Sequence, residues 1–114
     1  MLGRFVTQPS DPVSAVAEVF RLLGDPTRLR IALTCLEGER TVGEIGEAVG
    51  QSQSLVSHHL RLLRTARIMR ATRQGRNVAY AIDDDHVRDV LRNMIAHFTE
   101  PHDHHHPDAE ADGS

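Results

Sequence analysis

Apolar residues recur at helical spacing through Val13, Val16, Ala17, Phe20 and Leu23, which predicts a helix over residues 13–23 ending at Gly24. Asp25-Pro26 then supplies an N-cap followed by proline at the first helical position, so a second helix opens there and runs to about Leu36. Glu37-Gly38 turns the chain. Thr41 and Glu44 have capping-box spacing and open a short third helix that closes near Gly50. Ser52 or Ser54 caps a fourth helix reaching about Thr65. The pattern then changes. Residues 67–71 and 77–82 read as two strands joined around Gln74-Gly75, with Ile68, Val78, Tyr80 and Ile82 as their β-branched and aromatic members. Asp83-Asp84-Asp85 places negative charge where a helix dipole favours it, at the start of a last helix that continues to about Thr99 and stops before Pro101.

Four helices, a hairpin and a fifth helix form a mainly α fold with a β-hairpin: a winged helix-turn-helix over residues 13–100. Residues 1–12, with two prolines, read as a flexible arm, and residues 101–114, PHDHHHPDAEADGS, as a disordered His-rich acidic tail. The chain has 114 residues, enough for one domain. The opening MLGRFVTQPSDP lacks a secretory apolar core, and no apolar run is long enough to span a membrane. Cys35, the single cysteine, excludes an internal disulfide. It falls beside Leu33 and Leu36 and reads as a small core residue. A cytoplasmic protein is the expectation.

The net charge of −3 conceals a split. Residues 1–82 hold 11 arginines against 7 acids, while residues 83–114 hold 2 arginines against 9 acids. No acid occurs between Ala48 and Ile82, where six arginines lie. A basic block in an acidic chain can be the footprint of a polyanion partner, and on composition alone it equally fits a solvated helix face and loop. In the fourth helix Val56, Leu60 and Leu63 form an inward stripe; Gln53, Ser54, Ser57, His58, Arg61 and Arg64 fall opposite. Amides, hydroxyls and an imidazole suit base edges, and arginines suit phosphates, so this is the expected recognition helix. Arg73, Gln74, Arg76 and Asn77 at the hairpin tip complete the expected contact set for double-stranded operator DNA.

Eight histidines are many for this length. His86 and His97 stand 11 positions apart, close to three turns, so both project from nearly one azimuth of the last helix. They lie about 16 Å apart along its axis, too far for one chain to bring both to one ion. An antiparallel partner helix would set His86 of one protomer against His97 of the other, twice by symmetry. Asp84 and Glu100 flank them, and Asp84, His86, His97 and Glu100 together supply four donors for a zinc ion. Val87, Val90, Leu91, Met94, Ile95 and Phe98 form the apolar face beside them, suited to a homodimer interface.

The segments LGDPTRLRIALTCL, SQSLVSHHLRLLR and RQGRNVAYAI, with D-x-H-x(10)-H-x(2)-E in the last helix, resemble the ArsR/SmtB family of bacterial metal-sensing repressors from about Val13 to Glu100. The resemblance implies a homodimeric winged-helix repressor whose zinc site takes Asp84 and His86 from one protomer and His97 and Glu100 from the other. It implies operator binding by the metal-free dimer and release on metal binding, with efflux or storage genes as targets. The family's Cys-x-Cys pair near the third helix is absent; Thr41-Val-Gly-Glu-Ile stands there. His102, His104, His105 and His106 are possible extra ligands that would favour nickel or cobalt. Two other readings stay open: a metal-independent DNA-binding regulator, and a metal store or metallochaperone served by the tail. A zinc hydrolase does not fit: the sequence has no HExxH motif, and the four ligands leave no obvious place for water.

Overall fold

The computed structural model describes residues 11–101. Helix α1 is Pro12–Leu23, with Asp11 as its N-cap accepting from the Val13 amide at 3.1 Å. The helix therefore starts one residue before the expected boundary, and Asp11 and Pro12 belong to it rather than to the arm. The physical reason is the Asp-Pro pair, which caps and starts this helix as it does the next one. The rest of the arm and the tail, including His102, His104, His105 and His106, lie outside the described residues.

Helix α2 is Pro26–Thr34 with Asp25 as N-cap, and it ends two residues short of the expected Leu36. A strand the periodicity did not announce follows, β1, Arg40–Thr41. Helix α3, Val42–Val49, opens on the Thr41–Glu44 capping box and closes at Gly50, whose φ of 71° is the left-handed cap conformation glycine adopts without penalty. Helix α4 is Gln53–Thr65, capped by Ser52 rather than Ser54.

Strands β2, Met69–Gln74, and β3, Asn77–Ile82, form the hairpin. Gln74 pairs with Asn77, leaving Gly75-Arg76 as a two-residue turn with Gly75 at φ 63°. The first strand begins at Met69 rather than Arg67. Arg67 sits at φ 63°, the Arg67 amide donates to the Arg64 carbonyl and the Ile68 amide to the Leu63 carbonyl, both at 2.9 Å. These bonds close α4 as a left-handed cap and use up the residues that otherwise would begin the strand. The sheet is antiparallel in the order β1-β3-β2, with Arg40 opposite Tyr80 and Thr41 opposite Ala79. Helix α5 is Asp85–Thr99.

The core lies where α2, α3, α4 and the root of the sheet meet. Ile31, Ile45, Val56, Leu60, Leu63, Ile68 and Ile82 are among its fully buried members. Cys35 is buried there too, and loss of hydration pushes its thiol pKa up to about 12. That makes it the small core residue expected, with almost no thiolate at neutral pH. No helix among the described residues is long and apolar enough to cross a membrane.

Candidate functional site

Helix α4 is anchored by its inner side and bare on the other. Val56, His59, Leu60 and Leu63 are its buried residues, at the spacing of one helical stripe. Gln53, Ser54, Ser57, His58, Arg61 and Arg64 are all exposed, as are Arg73, Gln74, Arg76 and Asn77 on the hairpin. Gln53 of the first set and Arg76 and Asn77 of the second share one cleft of about 580 Å³, which Thr41–Glu44, Val78 and Tyr80 also line. Among the described residues, the ion pairs engage Arg21, Arg88 and Arg92 and leave Arg61, Arg64, Arg73 and Arg76 without an acidic partner. Guanidinium groups held in this way can pair with phosphate oxygens. Gln74 is committed elsewhere: its amide donates to the Glu39 carboxylate, tying the hairpin tip to the loop before β1.

Beneath this face lies a polar contact that the sequence reading did not single out. His59 and Asp11 are the buried polar side chains among the described residues, and His59 is 9% exposed. Arg28 of α2 reaches it, with Nη1 3.4 Å from His59 Nδ1, while Arg28 Nε donates to the Leu22 carbonyl at 2.8 Å. The Asp25 carboxylate accepts from the Arg28 amide at 3.0 Å, and this bond holds Asp25 below the usual carboxylate range. Desolvation, then the charge of Arg28, hold the His59 pKa below its ordinary value. The signal was present, since position 59 falls on the Val56–Leu60–Leu63 stripe.

The four expected metal ligands divide between the two ends of α5. Asp84 is its N-cap, accepting from the Val87 amide at 2.9 Å, and His86 lies in the first turn. His97 lies in the last turn with its ring edge-on to Phe98 at 4.7 Å, and Glu100 is the C-cap. All four are exposed. No three His, Cys, Asp or Glu side chains gather within metal-binding reach among the described residues. One chain thus places Asp84 and His86 at one end of the helix and His97 and Glu100 at the other. The donor chemistry, two imidazoles and two carboxylates, fits a zinc-type ion when a second copy supplies the other half.

The surface between the two ends suits such a copy. Val90, Met94, Ile95 and Phe98 are exposed on α5, and Val13, Val16 and Phe20 on α1. His86 lines an apolar groove of about 210 Å³ between these helices, beside Val16, Phe20 and Val90. Two arginines fasten α5 to the body. Arg88 donates to the Leu36 carbonyl at 3.2 Å and the Ile82 carbonyl at 3.4 Å, and Arg92 makes a two-pronged pair with Glu37 at 2.8 and 3.0 Å.

Helix-turn-helix, flanking hairpin and unpaired arginines together define a winged helix-turn-helix DNA-binding protein. Comparison with known proteins agrees. The profile of "Bacterial regulatory protein, arsR family" matches residues 25–70. The chain is 39% identical over 90 residues to a transcriptional repressor SmtB homolog from Synechocystis, covering 79% of this chain and 68% of that one. It is 39% identical over 83 residues to a cadmium resistance transcriptional regulatory protein CadC homolog from Staphylococcus aureus, covering 72% and 69%. The NMR structure of a homodimeric winged helix-turn-helix domain, Mb0332 from Mycobacterium bovis, aligns with a TM-score of 0.73 at 27% identity, covering 83% of this chain and 89% of that one. The chain belongs to the ArsR family: it is a transcription regulator of the ArsR/SmtB metal-sensing type, not an enzyme.

Proposed function

We propose that this protein is a cytoplasmic, homodimeric repressor that binds operator DNA in its metal-free form and releases it when zinc binds between protomers. The observation that supports this most is the division of α5: Asp84 and His86 at one end, His97 and Glu100 at the other, with exposed apolar residues between. An antiparallel pairing of α5 with its copy matches each donor pair to its complement and covers that apolar surface. A bound ion would supply a cross-link between carboxylate and imidazole donors of two chains. Each α4 contributes Gln53, Ser54, Ser57 and His58 to base edges and Arg61 and Arg64 to phosphates, with Arg73, Arg76 and Asn77 of the hairpin alongside. The two copies of α4 read half-sites about one helical turn apart. Arg88 and Arg92 pass a change in α5 to Leu36, Glu37 and the end of β3, and so to the DNA-reading body. Relief of repression at efflux or storage genes follows.

The test is fluorescence anisotropy of a duplex from upstream of the protein's own gene, at fixed moderate salt, with chelator and then with zinc. Tight binding that weakens at least tenfold with zinc, a coupling of about 1.4 kcal/mol, is the expected result. His97→Ala abolishes the response and keeps the metal-free affinity. Release by nickel or cobalt but not zinc moves the site to the tail histidines, and tight binding indifferent to all three metals overturns the metal reading.

A further inference from the structure

Buried His59 and half-buried Arg28 have no part in reading DNA directly, yet they meet against the concealed side of the helix proposed to read it. A guanidinium has only donors, so the 3.4 Å approach of Arg28 Nη1 to His59 Nδ1 requires a lone pair on Nδ1. The imidazole must then be neutral, with its proton on Nε2. Arg28 is itself fixed at two further points: Nε bonds the Leu22 carbonyl at the end of α1, and its amide bonds the Asp25 carboxylate at the start of α2. Three helices therefore converge on one guanidinium. His59 is flanked on α4 by His58 and lies within a turn and a half of Arg61 and Arg64 on the same rigid helix, so the seat of its ring bears on how the exposed face is held.

We infer that Arg28 is a positioning residue for the DNA-reading helix, acting through the unprotonated Nδ1 of His59. The charged and titratable groups that face this ring are Arg28 and Asp25 from α2 and His58 from α4. Protonation of His59 sets two cations against each other. It also leaves Arg28 Nη1 without its imidazole acceptor in a part-buried site, and Asp25, already bonded to the Arg28 amide, offsets only part of that. Desolvation and the Arg28 charge keep the ring neutral at pH 7, so the bond holds there and is lost only as the pH falls through the lowered value.

The inference rests on α4 as the reading helix, and its test separates the two claims. The full-length protein is titrated against a duplex from upstream of its own gene, from about pH 7.5 down to about pH 5.5. His59→Asn keeps an acceptor near the Nδ1 position and cannot titrate. Wild type is expected to lose about tenfold more affinity than His59→Asn over this range. Both proteins retain His58, so the difference between them reports His59 alone. Arg28→Met keeps the apolar stem and is expected to weaken binding about tenfold at neutral pH, with His59→Leu adding little to it because both remove one bond. The ring ¹⁵N spectrum reads the bond without DNA: an unprotonated Nδ1 at neutral pH is expected. A protonated Nδ1 overturns the bond itself. Parallel pH profiles for wild type and His59→Asn overturn the positioning role, and that comparison stands even where Arg28→Met fails to fold. An unprotonated Nδ1 in a protein that binds no such duplex overturns the reading assigned to α4, and with it this inference.

Discussion

Helix α4, with 13 residues, buries four of them, whereas α5, with 15, buries only Leu91. The same period of apolar residues runs through both. In α4 the stripe meets α2, α3 and the sheet within one chain; in α5 it faces outward with Val90, Met94, Ile95 and Phe98. Their polar sides differ as well. The arginines of α4 have no acidic partner, while those of α5 are bound to Glu37, Asp85 and backbone carbonyls. An amphipathic pattern states that a face will be covered, not by what. The charges state which helix offers its polar side to something outside the protein and which has spent it on attachment.

The largest effect that sharpens this contrast is on folding. Leu63→Ala is expected to cost about 3 kcal/mol in urea denaturation and Leu91→Ala clearly less, because Leu63 is enclosed on every side and Leu91 lies at the margin of the core. An equal loss would mean that α5 is as integral to the fold as α4. Next is assembly. Phe98 is 74% exposed, so Phe98→Ala should leave the far-ultraviolet circular dichroism unchanged and weaken dimerisation about tenfold by sedimentation equilibrium. Third is the response to salt. Arg61→Ala and Arg76→Ala should each lower the slope of log affinity against log salt by about one unit, whereas Arg92→Ala should leave it unchanged. The smallest effect concerns Glu37. Its bond to Arg92 holds the carboxyl below the usual range, so its contribution is complete above the ordinary carboxylate pKa and disappears as the pH falls through the lowered value. Thermal melts of wild type and Glu37→Gln should therefore differ slightly at neutral pH and converge in acid.

Much of the fold was legible because its punctuation is local. Asp25-Pro26, the Thr41–Glu44 box and Gly75 act within a few residues, and the structure uses each as expected. The same Asp-Pro signal at positions 11 and 12 marks the start of α1, which the apolar spacing alone puts at Val13. Strand β1 is two residues long and exists only through its pairing with Ala79 and Tyr80, which no local window contains. Arg67 occupies a left-handed cap position that glycine usually takes, so nothing in its chemistry announced the end of α4. The ten positions expected to face DNA are all polar and all exposed. The expected metal ligands were legible only as residue types at a spacing, and in the proposed site their union takes a second chain that a single sequence does not display.

The hairpin has a further consequence. Arg73 and Arg76 stand at its tip, and Asp83, Asp84 and Asp85 follow directly on its base, about 20 Å away along six-residue strands. Glu39 beside the tip, and Arg70 and Arg88 at the base, reduce this to a balance of about one positive charge at the tip and one negative at the base, still an electric dipole along the wing. Near a polyanion it feels a torque before any contact forms, turning the arginines toward the duplex and the aspartates away from it. The molecule thus arrives already facing the right way, and salt should act on how fast it docks more than on how long it stays.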